Sequence, residues 1–178
     1  MTDEAFWQLI ARAAEQPGDR DERAEWLTEE LTRLPVAQIV DFAVRLHTVR
    51  TRADTPGLLR AARLIHDGVC TDEVFRSFQL WLLTLGRAAF DAVVADADAL
   101  ADQAPVRELA ARPMREWSAQ DWPEWESLDF AAHDAYGESG ERALDEELSE
   151  LGVAHSAPAA PLSRETVVLP RLTALFDG

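Results

Sequence analysis

The 178-residue chain lacks Lys and Asn and contains a single cysteine, Cys70. One thiol cannot form an intrachain disulfide, and it excludes a cysteine-rich zinc site. No apolar run approaches the roughly 20 residues of a membrane span. The first residues, Met1 to Glu4, are acidic where a secretion signal would be basic. We therefore expect a cytoplasmic protein, and the Arg-only basic residues and abundant Ala and Leu suggest a bacterial source with a GC-rich genome.

Basic charge is scarce: 17 Arg face 33 carboxylates, which gives a net charge of −16. Nucleic acids bind proteins largely through basic residues that neutralise their phosphates. Anionic membrane surfaces attract basic segments for the same reason. The composition therefore argues against nucleic-acid and membrane partners.

Helical periodicity dominates, and strand alternation is nearly absent. The sequence predicts an all-α fold, a single compact irregular bundle of about seven to nine helices. Its central element is an apolar helix over residues 71–85, in which Thr71 is the N-cap and Asp72 and Glu73 suit the helix dipole. We expect a helical domain over 1–152, an Ala/Pro-rich linker over 153–163, and a segment 164–178 that docks back on the body, with a short strand at 166–169 as one alternative.

Capping and breaking residues place the other helices. The predicted helices are one from Thr2 to before Pro17, 21–34, one opening at Pro35, one from Pro56 to before Gly68, 87–94, one opening at 121–123, and 139–151. A loop is predicted at 51–55, and turns with one or two helical turns at 95–113. The helix opening at Asp121 would place Trp125, Leu128, Ala132 and Tyr136 on one face.

Several motifs resemble a bacterial family. They are Phe6-Trp7-x-Leu9-Ile10, the Ile39 to Phe42 stretch, Ala61-Ala62-x-Leu64-Ile65, Cys70-Thr71-Asp72-Glu73-x-Phe75-x-x-Phe78-x-x-Trp81-Leu82, Gly86 to Phe90, Asp96 to Ala101, and Ala135-Tyr136 with Gly140. With these motifs the first 140 or so residues resemble domain-of-unknown-function family 4240. At 67–69 the chain has Asp-Gly-Val where that family usually has a glycine pair, and residues 117–125 match less well. The resemblance implies a helical fold and no established activity.

Catalytic and metal-binding constellations are weak. Cys70 precedes a helix N-terminus and follows His66 by four residues, so a Cys–His nucleophile is conceivable. However, Asp72 and Glu73 beside the thiol would raise its pKa, and a lone Cys is usually core packing. The Asp96, Asp98 and Asp102 turn lacks the central Gly of a calcium loop. We therefore assign no catalytic residue, no metal ligand and no cofactor.

The helices on either side of the 67–70 turn outline a helix-turn-helix motif. Asp72 and Glu73 would meet the phosphates if the second helix entered a major groove, so DNA reading is rejected. A ligand pocket near His66, Cys70 and Trp81 remains the alternative for this region.

Charge is distributed unevenly. Residues 116–151 contain twelve carboxylates against one Arg, and residues 45–63 contain five Arg against one Asp. The predicted partner-binding residues combine aromatic and acidic groups: Trp117, Trp122, Glu124, Trp125, Glu126 and Asp129. Alternatively the carboxylates are solvated helix faces and the Trp residues core, or the Arg-rich stretch lies against the acidic helices.

These features predict a non-enzymatic cytoplasmic interaction or regulatory module that presents an acidic, aromatic-bearing surface to a basic protein or peptide. The alternative is a small helical enzyme or ligand-binding protein with a pocket near Cys70 and His66. Self-association through exposed Trp is the third hypothesis. The oligomeric state and the identity of any partner stay open.

Overall fold

The computed structural model describes residues 1–137, 143–153 and 167–177. These residues contain helices and no strand, which confirms the predicted all-α class. The α-helices are α1 Asp3–Ala14, α2 Arg20–Thr32, α3 Val36–Arg52, α4 Pro56–Ile65, α5 Asp72–Leu82, α6 Arg87–Ala95, α7 Ala104–Ala110, α8 Ala131–Gly137, α9 Leu144–Glu150 and α10 Pro170–Phe176. Short 3₁₀ helices span Leu83–Leu85, Ala97–Asp102, Met114–Glu116 and Glu126–Asp129.

The internal contacts divide the chain into two compact units. Unit 1 consists of Met1–Thr51 and Trp125–Ser156, and unit 2 of Arg52–Glu124 and Ala157–Gly178. The predicted bounds 1–152, 153–163 and 164–178 stay a prediction, and the linker falls almost wholly outside the described residues. None of the described helices is both long and apolar enough to cross a membrane.

The start of α2 shows how local sequence fixes a helix. The Asp19 carboxylate accepts hydrogen bonds from the backbone N–H groups of Asp21 and Glu22, at 3.0 and 2.9 Å. The Glu22 carboxylate accepts one from the Asp19 N–H, which completes a capping box. Gly18 has a φ of 101°, a conformation that favours glycine, and a Cβ there would also displace the Glu22 carboxylate from the capping box.

The predicted central helix is confirmed in unit 2. The Thr71 hydroxyl accepts a hydrogen bond from the Val74 N–H at 3.2 Å, and α5 continues into the 3₁₀ helix Leu83–Leu85. Its buried apolar side chains are Phe75, Phe78, Leu80, Trp81, Leu82 and Leu83. Two helical turns of side chains are therefore buried on nearly all sides.

The helix predicted to open at Asp121 is wrong. The Asp121 carboxylate accepts hydrogen bonds from the Ser118 N–H and hydroxyl, at 2.6 and 2.8 Å, and from Arg112. Asp121 therefore closes a turn with preceding residues and does not cap a following helix. The chain becomes helical only at the 3₁₀ helix Glu126–Asp129 and then in α8.

Smaller differences concern the ends of other elements. The residues predicted as a loop at 51–55 begin inside α3, which runs to Arg52; within this last turn the Thr51 hydroxyl donates to the His47 carbonyl. Residues 167–169 form no strand, and α10 follows them; Thr166 lies outside the described residues. The helix predicted over 139–151 is seen as α9, with 138–142 also outside.

Candidate functional sites

Unit 1 contains an open groove beside α2. The groove has a volume of about 660 Å³ and is lined by Asp21, Ala24, Glu25, Thr28, Glu29, Ser127, Phe130 and Asp134. We call these eight residues the acidic groove. Its first five residues come from α2 and its last from α8, so helix packing within unit 1 shapes it.

Packing of α2 on the 127–134 segment holds the groove open. Ala24, Leu27 and Leu31 of α2 are buried. The Thr28 hydroxyl donates to the Ala131 carbonyl at 3.4 Å, and the Ser127 hydroxyl donates to the Arg20 carbonyl at 3.3 Å. Small hydroxyl side chains therefore link α2 to the 127–134 segment by hydrogen bonds, and the groove lies between them.

The spacing of carboxylates along α2 gives the groove its charge. Asp21, Glu25 and Glu29 follow one another at intervals of four residues, so they share one helix face over about 12 Å. Asp134 adds a fourth carboxylate, and the lining contains no basic residue. Glu29 lies 3.6 Å from Arg33 with both side chains exposed, a pair that compensates little of the charge. The groove should attract cations.

An aromatic ring stands in this acidic lining. Phe130 is 54% exposed, although most large apolar side chains in the described residues are buried. A ring beside carboxylates can contact the apolar part of a cationic side chain and attract its charge. The acidic groove therefore combines the two chemical features predicted for the partner-binding surface.

The predicted partner-binding residues of unit 1 have different environments. Trp125 is only 2% exposed, and its indole N–H donates to the Arg20 carbonyl at 3.1 Å. The Trp125 ring is therefore enclosed in the core of unit 1. Glu126 is exposed and Asp129 half-buried; neither lines the groove. That they bind a partner stays a prediction.

The predicted partner-binding residues of unit 2 cluster around His66. Its ring centroid lies 5.8 Å from that of Trp122, and the Trp122 centroid lies 5.3 Å from that of Trp117. The Glu124 carboxylate lies 3.2 Å from His66 Nε2. Trp117 and Trp122 are half-buried. These contacts form a local cluster, in which Trp117 and Trp122 are partly accessible to solvent.

The environment of Cys70 argues against a Cys–His nucleophile. His66 is buried, and its two ring nitrogens face the Ala62 carbonyl at 2.8 Å and Glu124. Burial raises the pKa of the Cys70 thiol, and Glu124 and Asp72 raise it further against the opposing effect of Arg63. A thiol in that state is a poor nucleophile at neutral pH.

Alkylation of Cys70 should therefore be slow in the native protein. The iodoacetamide reaction rate at pH 7 is expected to be several-fold below that of the urea-unfolded chain. Because the native thiol pKa is raised, the native rate should increase only above the usual range of thiol titration. Mass spectrometry of quenched samples measures both rates, and faster labelling of the native protein would restore the nucleophile hypothesis.

Trp81, the third residue of the predicted pocket, belongs to the core. It is buried, and its ring stacks on Phe78 with centroids 5.8 Å apart. A pocket shared by His66, Cys70 and Trp81 stays a prediction. Among groups of three or more His, Cys, Asp or Glu side chains within the described ranges, none is arranged to hold a metal ion.

The acidic turn at 96–102 anchors the C-terminal segment. The Asp98 carboxylate accepts hydrogen bonds from the backbone N–H groups of Arg171, at 3.2 Å, and Leu172, at 2.9 Å. The Arg171 guanidinium lies 2.8 Å from Asp102. We call Asp98, Asp102 and Arg171 the C-terminal clasp. Two of the carboxylates that resembled a calcium loop therefore make intramolecular contacts.

Two Arg residues of the 45–63 stretch have partners outside the 116–151 acidic region. Arg45 pairs with Asp3, and Arg52 lies 2.7 Å from Asp91 with its guanidinium 5.5 Å from the Phe90 ring centroid. These ion pairs do not support the hypothesis that the Arg-rich stretch lies against the acidic helices.

Sequence reasoning missed most of the acidic groove. The spacing of Asp21, Glu25 and Glu29 was visible, but three carboxylates on a helix face are usually only solvated. Phe130 was hidden by the wrong helix at Asp121, whose predicted apolar face did not include it. To find the exposed ring, one must know that α8 begins at Ala131, directly after Phe130.

The fold and the groove together define an all-α protein with an acidic, aromatic-bearing recess in one of its two units. The chain belongs to the family described as Protein of unknown function (DUF4240), whose family model matches residues 1–138. This confirms the family resemblance. Neither curated proteins nor solved structures provide a match to the chain.

Proposed function

We propose that this protein is a non-enzymatic cytoplasmic interaction module that binds a basic segment of a partner protein in the acidic groove. The observation that carries the proposal is that the row of Asp21, Glu25 and Glu29 lines the same groove as an exposed Phe130. Arg side chains of a partner segment would pair with these three carboxylates, and an apolar side chain of that segment would pack on the Phe130 ring. The net charge of −16 would also speed the encounter with a cationic partner.

Neutralising the row should weaken binding of a short fluorescein-labelled Arg/Leu peptide. We expect the triple variant Asp21→Asn/Glu25→Gln/Glu29→Gln to raise the Kd by about tenfold to a hundredfold at low salt, because each cation loses a charged partner. Phe130→Ala should raise it by about fivefold. Fluorescence anisotropy measures both, and wild-type binding should weaken with added salt.

A matched control separates the groove from overall charge. Glu15→Gln/Glu108→Gln/Glu146→Gln removes the same number of carboxylates from exposed positions outside the groove. This control should change the Kd by less than about threefold at moderate salt. Absence of wild-type binding at low salt, or an equal loss in both triple variants, would contradict the proposal.

A further inference from the structure

Unit 2 contains a second recess, unrelated to the acidic groove. The recess has a volume of about 390 Å³, within the range of small-molecule sites. Three helices end at it: the lining includes Leu64 and Ile65 of α4, Ala110 of α7 and Phe176 of α10. We call it the helix-end cleft.

The helix ends themselves add little charge to the cleft. The last carbonyl groups of a helix have no partner within that helix and carry partial negative charge. Some are satisfied here, since the Leu109 carbonyl accepts from the Arg112 N–H and the Trp117 indole N–H. The end of α4 is similar, since the carbonyl groups of Arg63 and Leu64 accept from the N–H groups of Gly68 and Asp67. The charge of the cleft therefore comes from its side chains.

Two carboxylates give the cleft its negative charge. Asp67 and Asp177 line the cleft and are exposed. Over residues 1–137, 143–153 and 167–177, neither has an ion-pair partner. Asp67 has a φ of 52°, a left-handed conformation that Asp and Asn tolerate better than most residues.

The one basic residue of the cleft is already paired. Arg112 donates from Nη2 and Nη1 to the two oxygens of Asp121, at 2.7 and 3.3 Å. This fork-to-fork pair occupies the groups that would hold an anionic ligand. The remaining charge at the cleft is that of Asp67 and Asp177.

Apolar side chains complete the lining. Met114, Trp117 and Phe176 are half-buried there and offer apolar or aromatic surface. Indole is the best of the side-chain rings for attracting a cation. Two carboxylates, an indole and a phenyl ring around one recess form a site for a positively charged organic group with an apolar body.

We propose that the helix-end cleft binds a small organic ammonium ion that carries an aryl or alkyl group. The ammonium lies toward Asp67 and Asp177, and its apolar body lies against Trp117 and Phe176. This site is separate from the peptide-binding groove of unit 1, and it neither requires nor supports the function proposed for that groove.

Titration with benzylammonium, followed by ¹H–¹⁵N NMR of the full chain, tests the proposal. We expect saturable shifts at Leu64–Asp67, Ala110–Trp117 and Phe176–Asp177, including the indole N–H of Trp117. Benzyl alcohol and benzoate, which have the same ring without the positive charge, should bind at least about tenfold more weakly. Asp67→Asn, which keeps a residue suited to the left-handed conformation, should weaken benzylammonium by about tenfold, and Asp177→Asn should do likewise.

Glu73→Gln removes an exposed carboxylate of unit 2 that does not line the cleft, and it should leave the Kd unchanged. Equal binding of benzyl alcohol would reduce the cleft to an apolar recess, and tighter binding of benzoate would make Arg112 the anchor. Either result would overturn the proposal. The absence of saturable shifts, or shifts located at the acidic groove, would also overturn it. So would full affinity in both Asp variants, provided that their spectra without ligand match that of the wild type and so show the same fold.

Discussion

Replacing Trp125 with Ala should lower the free energy of unfolding by about 3–5 kcal/mol, since a large buried ring is removed and a cavity remains. The ring is among the largest fully buried side chains of the described residues. Its indole N–H also satisfies the Arg20 carbonyl in the first turn of α2. The substitution therefore removes apolar packing and a hydrogen bond together.

Urea unfolding followed by far-UV circular dichroism measures this loss. Trp125→Phe retains most of the ring and should lose about 1–2 kcal/mol, mainly from the absent hydrogen bond and reduced volume. Trp26→Ala is the control within unit 1, because Trp26 is half-buried and its ring carries the Arg12 guanidinium at 4.9 Å. That variant should lose less than Trp125→Ala. Equal losses at the two positions would contradict the assignment of Trp125 to the core.

Asp98→Ala should release the C-terminal clasp and lower the free energy of unfolding by about 2–3 kcal/mol. Asp98 is 7% exposed, and its two oxygens accept from the backbone N–H groups of Arg171 and Leu172. Alanine leaves both N–H groups and the Arg171 guanidinium without that acceptor. The segment 167–177 should then dissociate more often from the 97–102 turn.

Hydrogen–deuterium exchange of the Arg171 and Leu172 amides tests the local effect. We expect Asp98→Ala to accelerate their exchange by at least about tenfold, and Asp98→Asn, which retains one acceptor oxygen, to do so less. Asp102→Asn is the matched control, because Asp102 is an exposed partner of the same Arg171. Asp102→Asn should lower the free energy of unfolding by less than about 1 kcal/mol. Unchanged amide exchange in Asp98→Ala would refute the clasp.

Prediction from sequence succeeded where the deciding interactions are local. Thr2, Thr71 and Pro56 start helices within the next few residues, and those starts are observed at α1, α5 and α4. It failed at Asp121, where a carboxylate equally able to cap a helix bonds instead to Ser118 and Arg112. Asp forms both kinds of turn, and the sequence alone does not distinguish them.

The candidate sites depended on contacts that are distant in sequence. Trp125 meets Arg20 across 105 residues, and Asp98 meets Leu172 across 74. No periodicity indicates which of several Trp rings will be enclosed, because enclosure depends on the packing of other helices. Trp125 is therefore enclosed, and the exposed ring of the acidic groove is that of Phe130.

The sequence by itself determined the all-α class, the central helix, the family and the excess of carboxylates, because helix periodicity, capping and net charge are properties of neighbouring residues or of composition. Only the tertiary structure decided which carboxylates are used internally, as in the C-terminal clasp, and which line open recesses. It also decided that three helix ends meet at one cleft. Both outcomes follow from packing between elements far apart in the chain, where a side chain's neighbours, and not its type, set what it can bind.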